Sequence, residues 1–317
     1  MNADRALVTG GAGFIGSHLA ERLLAAGADV TVVDDRSTGS IEAVPDEATV
    51  VERDLRRPGA LADVLTSAYD VVFHLAAGKS VDADRPREQF EGNTRMTYTV
   101  LEAMREADVG TLAFTSSSTV YGEAPRPTPE DYAPLEPISV YGASKLADEA
   151  LCSAFAHSHG IDVRTFRFAN IVGPGLRGAV IPDFLEKLRE DPERLEILGD
   201  GRQEKSYMHV SDCLDAMLTV LERASGPVAT YNLGTRTTTS VDRIADIVSD
   251  ELGCDPTYEH TGGERGWVGD VPKMRLSIEK LSALGWEPTM ESDRAVRRAT
   301  RELLEEEWSA PGAGRSG

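Results

Sequence analysis

The sequence predicts a doubly wound α/β fold, in which a parallel sheet carries helices on both faces and a smaller substrate-binding lobe follows. Three observations predict it. Apolar runs rich in β-branched residues alternate with helix-period segments through the first 170 residues. These runs are nearly continuous in hydrophobicity, as strands buried on both faces require. A glycine-rich turn joins the first run to the first helix-period segment, which is typical of such sheets.

The predicted strands follow one another in a regular order. Helix-period segments separate them, so consecutive strands are expected to lie parallel in one sheet. The strands are predicted at residues 6–10, 29–34, 48–54, 70–77, 111–118 and 162–170.

The chain divides into a large domain and a smaller lobe. Residues 1–170 form the predicted sheet domain, and the segments returning at about 207–249 show a strand-then-helix order that is expected to add to the same sheet. The remaining segments 171–206 and 250–309, punctuated by Gly and Pro, are expected to form the smaller lobe. Residues 310–317 are small and polar, which predicts a flexible tail.

Composition excludes several classes of protein. The chain has 53 acidic against 33 basic residues and a formal charge of −20, a field that repels phosphates and disfavours nucleic-acid binding. No stretch approaches the roughly 18 apolar residues of a membrane span. The N-terminus runs almost directly into a strand without a signal-peptide pattern. A cytoplasmic protein without membrane or nucleic-acid partners is therefore expected.

Cysteine and histidine spacing gives no metal motif. Cys152, Cys213 and Cys254 are widely spaced and form no CxxC pair, and the six histidines include no HExxH. Structural zinc sites depend on such spacings. No metal site is expected.

The turn "VTGGAGFIGSHL" contains the first candidate site. Gly10, Gly13 and Gly16 follow the first predicted strand and open the first helix. Glycines there let the backbone approach a pyrophosphate, while the helix N-terminus supplies N–H groups and a partial positive charge. The position predicts dinucleotide binding.

An acidic pair indicates which dinucleotide is bound. Asp34 and Asp35 end the second predicted strand, 18 and 19 residues past Gly16. A carboxylate at this place accepts the ribose hydroxyls of the adenosine and repels the 2′-phosphate of NADP, so NAD is the expected cofactor. Arg36 follows directly and could weaken that repulsion.

The segment "VYGASK" supplies a candidate acid-base pair. Tyr141 and Lys145 are four residues apart, which places both side chains on one face of a helix. A lysine charge about 6 Å from the phenol, at an effective dielectric of about 20, would lower the tyrosine pKa from about 10 by roughly two units. Such a tyrosine can act as a general acid or base.

Several segments in order carry a family resemblance. They are "TGGAGFIG", "FTSSSTVYG", "VYGASK", "FRFANIVGPG" and "GDGRQEKSYMHVSD". The chain from residue 5 to about 305 resembles the extended short-chain dehydrogenases/reductases, within them the NAD-dependent nucleotide-sugar epimerase/dehydratase family, and most closely its UDP-glucose (UDP-galactose) 4-epimerases. The resemblance implies a Rossmann domain, a UDP-sugar substrate, NAD and a homodimer built on helices near 88–107 and 141–158.

The resemblance also implies a catalytic set of Ser117, Tyr141 and Lys145. Strand alternation allows Ser117 but does not force it, since Ser117 faces away from Ser116 and Ser118. The implied reaction is epimerisation at C4, in which Tyr141 takes the 4-hydroxyl proton while the hydride passes to NAD. Ser117 would help to relay the proton, and Lys145 would hold the nicotinamide ribose.

The remaining site residues are implied by resemblance alone. On the cofactor side they are Phe14, Ile15, Arg36, Ser37, Thr38, Gly39, Asp54, Leu55, Leu75, Ala76, Ala77, Lys79, Asn93 and Ser116, with Tyr141 and Lys145. On the substrate side they are Lys79, Ser117, Thr119, Tyr141, Asn170, Val180, Lys205, Arg265, Asp270 and Met274.

Three positions depart from the family pattern. Lys205-Ser206 stands where many members have Arg-Asp, so a point charge replaces a bidentate fork at the diphosphate. Trp267 replaces an arginine for which Arg265 is close enough to substitute. Met274 is flexible and leaves N-acetylated sugars possible.

Other activities stay open at this stage. UDP-glucuronate or UDP-N-acetylhexosamine 4-epimerases use the same residues. Dehydratases and decarboxylases are disfavoured, because "SSSTVYG" has no acidic residue until Glu123. A non-catalytic NAD-binding regulatory protein would typically lose Tyr141 or Lys145, and both are present. A reductase with exchangeable NADH is a further alternative.

Overall fold

The computed structural model describes residues 4–79, 85–266 and 269–309. The strands are β1 Arg5–Thr9, β2 Asp29–Asp34, β3 Thr49–Glu52, β4 Val71–His74, β5 Thr111–Ser117, β6 Asp162–Phe168, β7 Asn170–Val172, β8 Arg194–Ile197, β9 Glu204–Lys205, β10 Tyr207–His209, β11 Val228–Leu233, β12 Thr239–Ser240, β13 Thr257–His260 and β14 Lys273–Met274. The α-helices are α1 Phe14–Ala25, α2 Pro86–Ala107, α3 Val140–His159, α4 Val180–Glu190, α5 Val210–Arg223, α6 Val241–Leu252, α7 Glu279–Ser282 and α8 Ser292–Ser309.

A seven-stranded sheet forms the centre of the large domain. Its order is β11-β6-β5-β4-β1-β2-β3, and each neighbouring pair is parallel. The chain order reverses between β1 and β4, where ligands bind in doubly wound sheets, outside the carboxyl ends of the strands. This architecture confirms the predicted α/β class.

Helices cover the sheet on both faces because successive strand side chains point in opposite directions. Val8 of β1 packs in the apolar cluster that includes Leu19 of α1 and Met217 of α5. Leu7, one residue earlier, packs in the cluster that includes Leu101 of α2 and Cys152 of α3. All these side chains are buried, which explains the continuous hydrophobicity of the strand runs.

A third apolar cluster joins α6 to α4 and α8, which lie in the segments predicted to form the smaller lobe. The returning segment 207–249 divides between the two parts of the chain. Strand β11 pairs with β6 in the central sheet, whereas β10 pairs with β7 in a separate two-stranded sheet. Helix α6 packs on α4 and α8, contrary to the expectation that it returns to the sheet, because its buried face of Ile244 and Val248 meets Phe184 and Val296.

Helices α2 and α3, the expected dimer elements, pack against each other. Of the apolar residues of α2, Val100, Leu101 and Met104 are buried in the core. Phe90 is exposed, as is Tyr98. The homodimer stays a prediction.

Two sequence predictions lie outside the described residues: Trp267 and the tail at 310–317. Within the described ranges, no helix combines the length and apolarity needed to cross a bilayer. In the same ranges, no three His, Cys, Asp or Glu side chains are grouped so that they could hold a metal ion.

Candidate active site

The glycine turn joins β1 to α1 at the carboxyl edge of the sheet. Gly10 has a φ of +67°, and its N–H donates to the Val33 carbonyl at 2.8 Å. A Cβ on Gly16 would lie 2.2 Å from the Gly10 carbonyl oxygen, so the turn and helix can approach only without a side chain. Gly13 is the N-cap of α1 and makes no side-chain cap. The N–H groups of the first turn, including those of Phe14 and Ile15, therefore have no partner within the helix and can donate to a ligand at the strand ends.

The acidic pair after β2 organises the loop over this turn. One carboxylate oxygen of Asp34 accepts from the N–H of Ala12 at 3.0 Å and the other from the N–H of Arg36 at 2.8 Å. Asp35 accepts from the N–H of Ser37 at 2.9 Å. Each oxygen keeps a further lone pair for a ribose hydroxyl. Arg36 points its guanidinium to Glu52, with nitrogen and oxygen 3.2 Å apart.

The rest of this loop and the segment after β3 are close by. Ser37 and Thr38 are exposed, and Gly39 abuts the backbone of Ala12, where a Cβ would clash. Asp54 accepts a hydrogen bond from the Arg56 side chain at 2.8 Å, and this bond lowers the pKa of Asp54. Leu55 is buried in the apolar cluster beneath α2 and α3.

The segment after β4 is positioned by Asn93. The Asn93 side chain accepts from the N–H of Gly78 at 2.7 Å and donates to its carbonyl at 3.1 Å. It also donates to the Ser144 hydroxyl of α3 at 2.9 Å. Asn93 is buried, and its bonds fix the position of the chain after β4. That chain contains the half-buried residues Leu75, Ala76 and Ala77 and the exposed Lys79.

Ser117 and Tyr141 meet at the end of β5. The Ser117 hydroxyl accepts from the Thr119 N–H at 3.2 Å and from the Thr119 hydroxyl at 2.9 Å. A hydroxyl has two acceptor sites and one proton, so Ser117 keeps its proton for the phenol of Tyr141, to which it is hydrogen-bonded. The structure thus brings together three of the residues implied by the resemblance.

Local sequence brings Tyr141 to this place. Ser139 caps α3 by accepting from the Gly142 N–H at 3.1 Å, which starts the helix at Val140 and puts Tyr141 in its first turn. A Cβ on Gly142 would lie 2.7 Å from the Thr119 carbonyl oxygen, so the turn after β5 can touch the helix only at a glycine. Neither residue was predicted, although Ser before a helix-period run is a recognisable cap.

Lys145 lies one turn further along α3, almost fully buried. Its ammonium donates to the Thr115 carbonyl at 2.9 Å and lies 4.8 Å from the centre of the Phe114 ring. Burial lowers the pKa of Lys145. The burial of His74, together with the nearby charge of Lys145, lowers the pKa of His74 to about 3. His74 is therefore neutral, and its ring joins Thr9 to Thr97 by hydrogen bonds of 2.7 and 3.1 Å.

The expected effect of Lys145 on Tyr141 is corrected by the structure. Burial and the charge of Asp148 raise the pKa of Tyr141 to about 12, and the hydrogen bond from Ser117 lowers it by less. The prediction that Lys145 alone lowers this pKa by about two units is therefore wrong. Desolvation of the phenol has the largest effect on this pKa, and helix spacing carries no information on desolvation.

Ser116 is turned away from the site, as strand alternation requires. Its hydroxyl donates to Glu149 at 2.5 Å, and Glu149 accepts two bonds from the guanidinium of Arg167 at 3.0 and 2.7 Å. Arg167 donates in turn to the Tyr121 hydroxyl at 2.7 Å. This buried network ties β5, α3 and β6 together below the site, so the Ser116 side chain contributes to its support.

The substrate-side residues gather around β9 and β14. Lys205 forms a buried ion pair with Asp270 and stands beside Met274 in the register of these two strands. Arg265 donates to the carbonyl of Asp270 at 2.8 Å and is paired with Glu123.

Two further substrate-side residues occupy neighbouring elements. Asn170 pairs with Tyr207 in the β7-β10 register and hydrogen-bonds its side chain. The charge of Asp270 acts on the same phenol, which places Asn170 near Asp270. Val180 begins α4 and is half-buried against the apolar cluster of the smaller lobe.

The chain matches a known protein family. Residues 6–234 match the NAD dependent epimerase/dehydratase family, which is more than half of the chain. The chain belongs to this family. Its glycine turn, its uncapped α1 and its acidic pair fit the NAD that the family uses, which confirms the predicted cofactor.

Relatives that match over nearly the whole chain support this family assignment. A putative UDP-glucose 4-epimerase of Methanocaldococcus jannaschii is 31% identical over 301 residues, covering 92% of this chain and 96% of the relative. A crystal structure of a UDP-galactose 4-epimerase is 42% identical with a TM-score of 0.88, covering 96% and 100%. That of the Thermus thermophilus UDP-glucose 4-epimerase with NAD is 32% identical with a TM-score of 0.84, covering 98% and 100%. The protein is an enzyme of this NAD-dependent nucleotide-sugar epimerase kind, as predicted.

Other members of the family, similar to this chain in structure or sequence, are named for different sugars. They include a UDP-N-acetylglucosamine 4-epimerase of Methanobrevibacter ruminantium M1 (27% identical, TM-score 0.86) and a UDP-glucuronic acid 4-epimerase of Bacillus cereus (25% identical, TM-score 0.84). A UDP-N-acetyl-alpha-D-glucosaminuronate decarboxylase of Bacillus cytotoxicus is 30% identical in sequence. Family membership therefore leaves the sugar undecided.

Proposed function

We propose that this protein is a UDP-hexose 4-epimerase that interconverts UDP-glucose and UDP-galactose. The observation that carries the proposal is the chain of hydroxyls at the end of β5. Thr119 donates to Ser117, and Ser117 is left to donate to the phenol of Tyr141. A phenol held in this way can exchange one proton with a sugar hydroxyl.

The residues divide the work between them. Tyr141 accepts the proton of the sugar 4-hydroxyl and later returns it, and Ser117 hydrogen-bonds the same oxygen and relays the proton. Lys145, anchored on the Thr115 carbonyl at 2.9 Å, holds the ribose next to the nicotinamide. NAD, when bound, supplies the acceptor and donor of the hydride that inversion of a carbinol carbon requires.

The polar groups of the site disfavour loss of water or carbon dioxide. Among the described residues, no carboxylate is hydrogen-bonded to Ser117, Thr119 or Tyr141. Glu123, the first acid after the serine run, is paired with Arg265. Dehydration at C5 and C6 needs a second acid-base group, and the described residues place none in hydrogen-bond contact with these hydroxyls.

Charge supports a neutral hexose over a uronic acid. Three cations of the predicted site already have anionic or carbonyl partners: Lys145 has the Thr115 carbonyl, Lys205 has Asp270, and Arg265 has Glu123. A uronate carboxylate would have to displace one of these partners to be paired with any of the three.

A UDP-N-acetylhexosamine is the second candidate. Met274, which is buried beside Lys205, is unbranched and flexible, so it can move to admit a larger C2 substituent.

The test is a panel of UDP-glucose, UDP-galactose, UDP-N-acetylglucosamine, UDP-glucuronate and dTDP-glucose, followed by NMR of the anomeric proton. We expect UDP-glucose and UDP-galactose to interconvert with no added NAD, and denatured enzyme to release NAD. Turnover of UDP-N-acetylglucosamine alone would replace the proposal with the second candidate. A 4-keto-6-deoxy or pentose product would refute epimerisation.

A further inference from the structure

Asp148 is a buried carboxylate that no role described so far uses. It lies on α3, three residues past Lys145 and seven past Tyr141, and its side chain is only 1% exposed. Neither carboxylate oxygen makes a hydrogen bond of acceptable geometry, although the Thr97 hydroxyl of α2 is close enough to lower its pKa. Spacings of three and seven put Asp148 on the helix face that carries the catalytic pair.

A carboxylate in such a place destabilises the fold unless a cation faces it. Burying an ionised group without hydrogen bonds is costly, and an apolar or neutral side chain would fill the site more cheaply. The cation whose charge acts on Asp148 is the ammonium of Lys145, three residues earlier on the same face of α3 and itself only 2% exposed. The Thr115 carbonyl accepts one bond from this ammonium but brings no full charge. Asp148 supplies the full negative charge.

The other titratable groups near Asp148 and Lys145 are either paired or neutral. Glu149 also carries a negative charge, but Arg167 binds it through both carboxylate oxygens. His74, reached through Thr97, is neutral. The titratable and charged groups around Asp148 are Tyr141, Lys145, Glu149 and Cys152 on α3, His74 on β4 and Arg167 on β6.

We infer that Asp148 is a positioning residue of the catalytic pair: its carboxylate is the buried counter-charge, one helical turn further along the shared face of α3, that keeps the Lys145 ammonium charged. The inference deepens the proposed function and rests on the roles proposed for Tyr141 and Lys145.

The pKa shifts agree in direction. Burial raises the pKa of Asp148 to about 6, and the charge of Lys145 opposes that rise. Asp148 in turn raises the pKa of both Lys145 and Tyr141, after the larger effect of burial on each. Above about pH 6 the Asp148 carboxylate is charged, so Tyr141 and Lys145 each hold their proton more tightly than they would beside a neutral side chain. Neutralising Asp148 should therefore lower the pH at which the first proton leaves the Tyr141-Lys145 pair, whichever of the two groups loses that proton.

The test is Asp148→Asn in the NAD-loaded protein, titrated by the ultraviolet absorbance of tyrosinate. Subtracting the same titration in a Tyr141→Phe background isolates Tyr141. Seven helical residues span about 10 Å, and at an effective dielectric of about 20 the lost charge should move the midpoint down by about one pH unit. An unchanged midpoint would overturn the inference, because a purely structural aspartate has no reason to move it.

Three controls define the result. Asp63→Asn removes an equal charge from a side chain that is 70% exposed and should leave the midpoint in place. Asp148→Glu keeps the charge and should keep the midpoint near that of the unaltered protein. In that unaltered protein, NMR of carboxyl-labelled aspartate should show Asp148 titrating near pH 6, and titration below about pH 4, its ordinary range, would also overturn the inference. None of these readouts needs turnover, so an inactive protein would refute the proposed function separately.

Discussion

The hydroxyl of Ser117 is hydrogen-bonded to the phenol of Tyr141, across the junction between the end of β5 and the first turn of α3. Because Thr119 occupies both acceptor sites of this hydroxyl, Ser117 acts as the donor. A donor aimed at the phenol oxygen stabilises the phenolate and relays its proton.

Replacing Ser117 should therefore slow the reaction without loss of the fold. We expect Ser117→Ala to lower kcat by about 10²-fold, in the range for loss of one donor to a reacting oxygen. Steady-state epimerisation of UDP-galactose measures it. Ser118→Ala alters the neighbouring hydroxyl and should stay near the starting rate, so equal losses in both variants would contradict the assignment.

Replacing Tyr141 tests the acid-base role directly. Tyr141→Phe removes only the hydroxyl, so kcat should fall by about 10³-fold, as expected for loss of a general acid-base group. The NAD released on denaturation should stay the same. Tyr98→Phe is the matched control, since Tyr98 is 43% exposed on α2. Full activity of Tyr141→Phe would disprove the mechanism.

The glycine turn should tolerate no side chain at Gly16. A Cβ there would lie 2.2 Å from the Gly10 carbonyl oxygen and 2.7 Å from the Gly11 Cα, both rigid backbone atoms. We expect Gly16→Ala to abolish NAD retention, measured as NAD released per chain on denaturation. Gly110→Ala places a methyl group in open space and should retain NAD fully. Normal NAD content in Gly16→Ala would show that the cofactor binds elsewhere.

The ion pair of Lys205 and Asp270 should affect both stability and substrate binding. Asp270 is 2% exposed, and breaking a buried pair by neutralising one partner costs about 3 kcal/mol. We expect Asp270→Asn to lose about that much unfolding free energy in urea and to raise KM for UDP-galactose more than it lowers kcat. Lys205→Arg keeps the charge and should preserve KM. An unaltered KM in Asp270→Asn would remove the pair from the substrate site.

Stability should depend on pH through Asp148. Its pKa of about 6 lies above the ordinary 3.8, so the folded state holds the proton more tightly between about pH 4 and pH 6. Stability from this group therefore falls as pH rises through that window, and about two pKa units correspond to about 3 kcal/mol. Asp148→Asn should be more stable than the unaltered protein above about pH 6 by up to that amount, with the difference shrinking towards about pH 4.

Urea unfolding from about pH 3 to about pH 8 measures this difference, since this range brackets both the folded and the unfolded pKa. Asp63→Asn should show no such pH-dependent gain, because its side chain is solvated. A lower stability of Asp148→Asn at the alkaline end of the window would mean that the carboxylate stabilises the fold.

Much of the fold and the chemical class could be predicted from sequence. The seven parallel strands and the glycine turn are coded locally, since continuous hydrophobic runs and glycine spacing depend on each residue's own neighbours. The family and NAD are confirmed for the same reason. The individual site residues stay predictions, although the structure brings Ser117, Thr119 and Tyr141 into one hydrogen-bonded group.

What the sequence determined by itself was the sheet, the dinucleotide turn and the class of enzyme. Only the tertiary structure decided that Ser116 binds Glu149, that Lys205 pairs with Asp270 and that Asp148 is buried with Lys145 as its facing cation. It also reversed the expected pKa shift of Tyr141. The physical reason is that desolvation and ion pairing depend on which distant segments surround a group, and spacing along the chain does not contain that information.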